Sequence, residues 1–128
     1  MNYKQKIDLW KQQAMHDLEV AEKNYSFHIY DYRLIACEQA VEKILKALYI
    51  KVKCEEPPKI HSLRKLALFV NMHDRLSDLL IELDEYYFML RYPGMNDEPP
   101  FELCDDDDAK EGLNKAREII RIILEELK

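Results

Sequence analysis

The sequence predicts an all-α fold, an antiparallel up-and-down four-helix bundle with one additional short helix. Three observations predict it. The 128 residues contain only two glycines, where an average chain of this length carries about nine. Other turn formers are also scarce, with five prolines, three serines and no threonine, too few for a sandwich or barrel that turns about every 8–12 residues. Apolar residues recur in alternating steps of three and four along four long segments, the period of an amphipathic helix. No internal repeat or long linker divides the chain, so a single domain over residues 1–128 is expected, large enough to bury one core.

The first helix is carried by Tyr3, Ile7, Trp10, Ala14, Leu18, Ala21 and Tyr25, which form one continuous stripe. Residues 24–32 (NYSFHIYDY) break that pattern and read as a turn whose aromatics cover the bundle end. The second helix has Leu34, Cys37, Val41, Ile44 and Leu48 inward, with the small residues Ala40 and Ala47 allowing a close neighbour. Its outer side is expected to be Glu38, Glu42, Lys43 and Lys46, with Glu42 and Lys46 in the favourable i,i+4 order. Pro57 and Pro58 require it to stop before Glu55.

Ser62 is a plausible N-cap for a short helix from Leu63 to Val70. Asp74 is expected to cap the next, whose inward face is Leu76, Leu79, Leu80, Leu83, Tyr87 and Leu90. Pro93 and Gly94 end that helix. The closing helix carries Leu113, Ala116, Ile119, Ile120, Ile123 and Leu127, with Gly112 near its start. Asp105 to Asp108 stand at its N-terminus, where carboxylates satisfy free amides and favour the helix dipole. Consecutive acids there do not converge on one point and lack EF-hand spacing, so capping is the expected role and no metal site is assigned.

Formal charge is −6, but its distribution says more than its sum. Residues 96–108 hold seven acids and no base, whereas residues 43–65 hold seven bases against Glu55 and Glu56. An acidic total therefore leaves room for an anionic ligand at the basic end. Gly94 and Gly112 stand too far apart for a Walker loop or a dinucleotide fingerprint. The four histidines, His16, His28, His61 and His73, fit neither a HExxH zinc motif nor a Glu-x-x-His di-iron element, and GxSxG is absent. No cofactor is expected. Cys37, Cys54 and Cys104 show no CxxC spacing, and the longest apolar run is residues 66–70. With an N-terminus reading MNYKQKIDLW, the expectation is a soluble cytoplasmic protein with reduced thiols and no membrane association.

One constellation stands apart. Gln39 to Leu48 reads QAVEKILKAL; His61-Ser62-Leu63 and Arg91-Tyr92-Pro93 follow, after an early helix with Trp10, Ala14, Asp17 and Leu18. In this order and spacing, over about residues 5 to 125, the chain resembles the HEPN family of small prokaryotic helical proteins. The resemblance implies a four- or five-helix bundle, usually a homodimer. It also implies a minimal nucleotidyltransferase encoded nearby, the two acting as a toxin–antitoxin or nucleotide-handling pair. The family's catalytic branch places a histidine five to seven residues after an arginine, as a metal-independent RNase site at the dimer cleft. Arg91 occupies the arginine position, but residues 92–98 (YPGMNDE) contain no histidine, and Arg64 to His73 is nine. The expectation therefore leans away from an enzyme.

The candidate ligand residues for a nucleotide or its phosphate are Arg91, Tyr92, His61, Lys46, Lys65 and Tyr87. Arg91 offers a planar fork suited to phosphate. Lys46, His61 and Lys65 add positive charge, and Tyr92 or Tyr87 can stack on a base. The plainer alternative has Arg91 pairing with Glu42 or Asp84 to lock the helix end, and His61 capping or packing beneath Ser62. Three functions stay open at this point. They are a dimeric binding module acting with a nucleotidyltransferase, a variant RNase using Arg91, His61 and Tyr92, and a structural dimer without ligand.

Overall fold

The computed structural model describes residues 1–128, and it consists of five α-helices without strands. They are α1 (Tyr3–Ser26), α2 (Tyr30–Lys53), α3 (Leu63–Phe69), α4 (His73–Met89) and α5 (Asp106–Glu126), with a single 3₁₀ turn at Pro100–Glu102. The four long helices and one short helix are those the periodicity predicts. No helix is long and apolar enough to cross a membrane.

α1 begins in a capping box in which the Asn2 side chain accepts from the Gln5 amide (2.8 Å) and Gln5 Oε1 accepts from the Asn2 amide (3.0 Å). Its stripe buries only Ala14, Leu18 and Ala21, because α1 lies at the flank of the bundle. The connection to α2 is tighter than residues 24–32 suggest. α1 runs on to Ser26 and α2 starts at Tyr30, so three residues make the turn, with His28 left-handed at φ 57.

α2 is the axis of the molecule. It packs against α1, α5, α3 and α4, and fifteen of its 24 residues are buried. The small side chains Ala40 and Ala47 are fully covered, as close helix approach requires. The expectation of a solvated side at Glu38, Glu42 and Lys46 is overturned: these residues are 0%, 5% and 6% exposed. With neighbours on every side, α2 has little face left to give to water. It ends where expected, at Cys54, whose φ of 54 turns the chain out of the helix.

Ser62 caps α3, its Oγ accepting from the Lys65 amide at 3.3 Å. The start of α4 is different from expectation. Met72 holds the cap position with no side-chain bond, and Asp74 lies inside the first turn, where its charge favours the dipole without closing a cap. The acidic run before α5 forms a second capping box: Asp105 Oδ1 accepts from the Asp108 amide (2.9 Å) and Asp108 Oδ2 from the Asp105 amide (3.1 Å). Gly112 lies in the second turn of α5 against Leu34, where a Cβ would collide with the Leu34 side chain. Its absence of a side chain thus brings α5 close onto α2.

Candidate functional site

A chain of charged groups runs through the interior between α2 and α4. Arg91 follows the last turn of α4, and its amide and that of Tyr92 still bond back to the Phe88 carbonyl. Pro93 then prevents another helical residue. From this anchored position the guanidinium donates from Nη1 to the Tyr87 carbonyl at 2.8 Å and from Nη2 to Glu38 Oε2 at 2.9 Å. Its carbon stands 4.1 Å from the centre of the Tyr87 ring, a cation–π contact. Arg91 thus pairs with Glu38, and not with Glu42 or Asp84.

Glu38 is fully buried and its second oxygen, Oε1, has no partner. Burial pushes its carboxyl up to about 7, against the pull of the Arg91 hydrogen bond, and the neighbouring charge of Glu42 adds to the rise. One turn further along α2, Glu42 holds two groups. Its Oε2 accepts from Lys46 Nζ at 3.2 Å, and its Oε1 lies 2.9 Å from His61 Nδ1. Lys46 Nζ also sits 5.6 Å from the centre of the Trp10 ring. His61 therefore neither caps nor packs beneath Ser62. With Nδ1 on a carboxylate, the other ring nitrogen is left free to act.

Tyr87 joins the two halves of this cluster. The His61 ring stacks on it at 4.3 Å with planes 15° apart. Tyr87 meets Phe88 edge-on at 4.8 Å, and Phe88 continues to Tyr92 at 5.9 Å. Phe88 and Tyr92 are exposed at 56% and 50%. The outcome is a ladder of rings leading from the buried charges to solvent.

Asp84 closes the neighbouring edge. It accepts from the Leu63 amide at 2.7 Å and from Arg64 Nε at 3.2 Å, so a side chain of α4 caps α3. Between these groups lies an open cleft of ≈ 190 Å³, lined by His61, Ser62, Arg64, Asp84, Glu85, Tyr87 and Phe88. A wider depression, ≈ 490 Å³, follows one side of α1 from Asp8 to Glu19. Its lining comes from a single helix and converges on nothing, so the smaller cleft is the better candidate.

Of the six predicted ligand residues, Lys46, His61, Tyr87, Arg91 and Tyr92 come together. Lys65 does not join them: its side chain is exposed on α3 and only its amide is engaged, by Ser62. Sequence reasoning placed Glu38 and Glu42 on the outer side of α2 and considered only Glu42, not Glu38, as a partner of Arg91. A signal existed, since Ile35, Ala36, Leu45, Tyr49 and Ile50 extend apolar character around the whole of α2, leaving no side for solvated carboxylates. It also missed Arg33, 4% exposed, whose guanidinium lies 4.1 Å from the Tyr25 ring centre while Nε and Nη1 have no partner. Burial pushes the Cys37 thiol up to about 12 and the Cys104 thiol up to about 11, so neither is an activated nucleophile.

Comparison with known proteins agrees with this fold. The HEPN domain description matches residues 7–127. A crystal structure of TT1696 from Thermus thermophilus superposes with a TM-score of 0.85 at 27% identity, over 98% of each chain. ST0689, described as an archaeal HEPN homologue, superposes with a TM-score of 0.80 at 28% identity, over 95% of this chain and 98% of its own. Comparison with curated proteins gave no match.

Proposed function

The chain belongs to the HEPN family, and from that premise we propose that it is a binding module. In this reading it is a homodimer that takes a nucleotide, or a short single-stranded RNA, at the α2–α4 corner and acts with a minimal nucleotidyltransferase. It works in the cytoplasm, where its three free cysteines stay reduced. One observation carries the reading: Tyr87 bears both the Arg91 guanidinium and the His61 ring, and leads through Phe88 to the exposed Tyr92. Aromatic rings beside a fixed cation suit a base and its phosphate without sequence readout. Because the chain has no phosphate-cradling glycine loop, side chains alone must hold the ligand.

Thermal-shift titration with ATP, GTP and a short RNA tests the binding. Tyr92→Ala should weaken it by about tenfold, the loss expected for one base stack. Arg91→Lys should weaken it as well, since a lysine keeps the charge and loses the planar fork. No stabilisation by any of these ligands favours a structural dimer instead. Pull-down with the product of the adjacent gene tests the partner, and no complex at micromolar protein removes that part of the proposal.

A second reading, a variant RNase, is favoured by the Glu42–His61 contact. A carboxylate that orients a half-exposed imidazole beside an arginine supplies a general base and a charge stabiliser. RNA cleavage should then disappear in His61→Gln with the helical circular dichroism unchanged. Equal degradation by wild type and variant points to a contaminating nuclease.

A further inference from the structure

We infer that an oxyanion of the phosphate class binds at Arg91 by displacing Glu38 from the guanidinium, and that Glu38 takes up one proton from solvent as it is displaced. The inference rests on the reading above that Arg91 is the anion-binding group. It starts from the charge balance of the cluster. Glu38 and Glu42 face Arg91 and Lys46, so the corner is neutral while His61 is uncharged, and it is not an anion site as it stands. Arg91 already gives Nη1 to the Tyr87 carbonyl and Nη2 to Glu38. An incoming phosphate competes with Glu38 for the same positive charge.

The competitor that loses is stranded. Glu38 is fully buried, one oxygen already lacks a partner, and its only other donor is Gln39 Nε2 at 3.4 Å. A carboxylate left without its cation in such a place becomes protonated in preference to staying charged. The rest of its surroundings push the same way. On α2 it faces Glu42 and Gln39, and across from α2 it faces Tyr87 of α4 and Arg91 just beyond that helix. His61, before α3, and Lys46 are both engaged by Glu42. Asp17 of α1 is taken by Lys43, while the cations of α5, Lys110, Lys115, Arg117 and Arg121, are all paired with other acids. No second cation waits to replace Arg91. Burial already holds Glu38 at about 7 with Arg91 in place, so the proton is available near neutrality.

Binding linked to one proton has a defined pH signature. Below about pH 6.5 Glu38 is already protonated and affinity is level. At higher pH the ligand must bring a proton with it, and affinity falls about tenfold per pH unit. Sulfate is the suitable probe, because it does not itself titrate between about pH 6 and 8.5. An NMR titration follows the Arg91 Nε–H resonance for binding and the Glu38 side-chain carboxyl carbon for protonation. At pH 8, saturating sulfate should move the Glu38 carbon to its protonated position, and Glu38→Gln should bind sulfate more tightly with little pH dependence. Repeating the series in His61→Gln separates any contribution of the imidazole. An Arg91 resonance that saturates while Glu38 stays ionised overturns the inference, as does silence of both groups at every pH. Stabilisation by nucleotide alongside an unresponsive Glu38 leaves the binding reading standing; absence of both responses removes the two together.

Discussion

α2 and α5 are both long and both rich in charge, yet they dispose of that charge in opposite ways. α5 buries Ala109, Gly112, Leu113, Ala116, Ile119, Ile120 and Ile123 along one stripe. Its charges stay towards the outside and pair locally, as in Lys110–Asp106 and Arg121–Glu118, or with surface groups of α1 and α4, as in Arg117–Glu22 and Arg75–Glu126. α2 packs on every other helix and takes Arg33, Glu38, Glu42 and Lys46 into the interior with it. Water solvates a charge on α5, whereas a charge on α2 must find a partner within the protein. Glu38 found Arg91, and Glu42 found Lys46 and His61. Arg33 found only the Tyr25 ring. The difference teaches that the charged corner follows from a crowded central helix: its carboxylates draw Arg91 and His61 onto one aromatic ring.

The contrast can be broken most severely at Arg91. Arg91→Ala leaves Glu38 buried and unpaired, and should cost about 3–5 kcal/mol of stability at pH 8 by denaturant titration. The cost should shrink in acid, where Glu38 is neutral with or without its partner. A small, pH-independent loss would place Glu38 in a wetter setting than its burial indicates.

Next in size is the pH profile of the wild type. A glutamate in the unfolded chain titrates near ~4.3, and Glu38 in the fold at about 7. The folded state therefore holds an extra proton between those values, so stability is greatest below the lower one and falls as pH rises towards the higher. The drop should be about 3 kcal/mol between pH 4.5 and 7, and level thereafter. Glu38→Gln should lack this component, which urea midpoints across the range will reveal.

Arg33→Met sharpens the comparison within α2. Because this guanidinium has no acid to strand, an apolar side chain of similar length should stabilise the fold by about 1 kcal/mol. A loss in place of a gain would mean that the contact with Tyr25 outweighs the burial of an unpaired charge. Smallest of all is Arg121→Ala on α5, where the exposed pair with Glu118 should leave the thermal midpoint unchanged.

Much of the fold was legible because helices announce themselves locally. The helices themselves, the Ser62 cap and the aspartate cap of α5 depend on residues three or four apart and appear where expected, whereas the stripes hold in part: Tyr3 of α1 is exposed, and α4 buries Tyr86 where Tyr87 was expected. Asp74 was misplaced because a good capping residue in the first turn resembles one at the cap itself. Of the six candidate residues, five stand close together in the fold, four of them from the QAVEKILKAL, HSL and RYP segments and the fifth, Tyr87, from α4. Their partners were not legible. Glu38 is 53 residues from Arg91, and Glu42 is 19 from His61, so no local pattern could pair them.

By itself, then, the sequence determined an all-helical chain, its element order, its stops and the absence of a phosphate loop. These follow from backbone propensity and short-range periodicity, which act within a few turns. Tertiary structure alone decided that α2 sits at the centre, that Glu38, Glu42 and Lys46 lose their water, and that Arg91 and His61 share Tyr87. A charge acquires its partner and its proton affinity from whatever surrounds it in space. For α2 that surrounding comes from four other helices, brought together only when the chain folds.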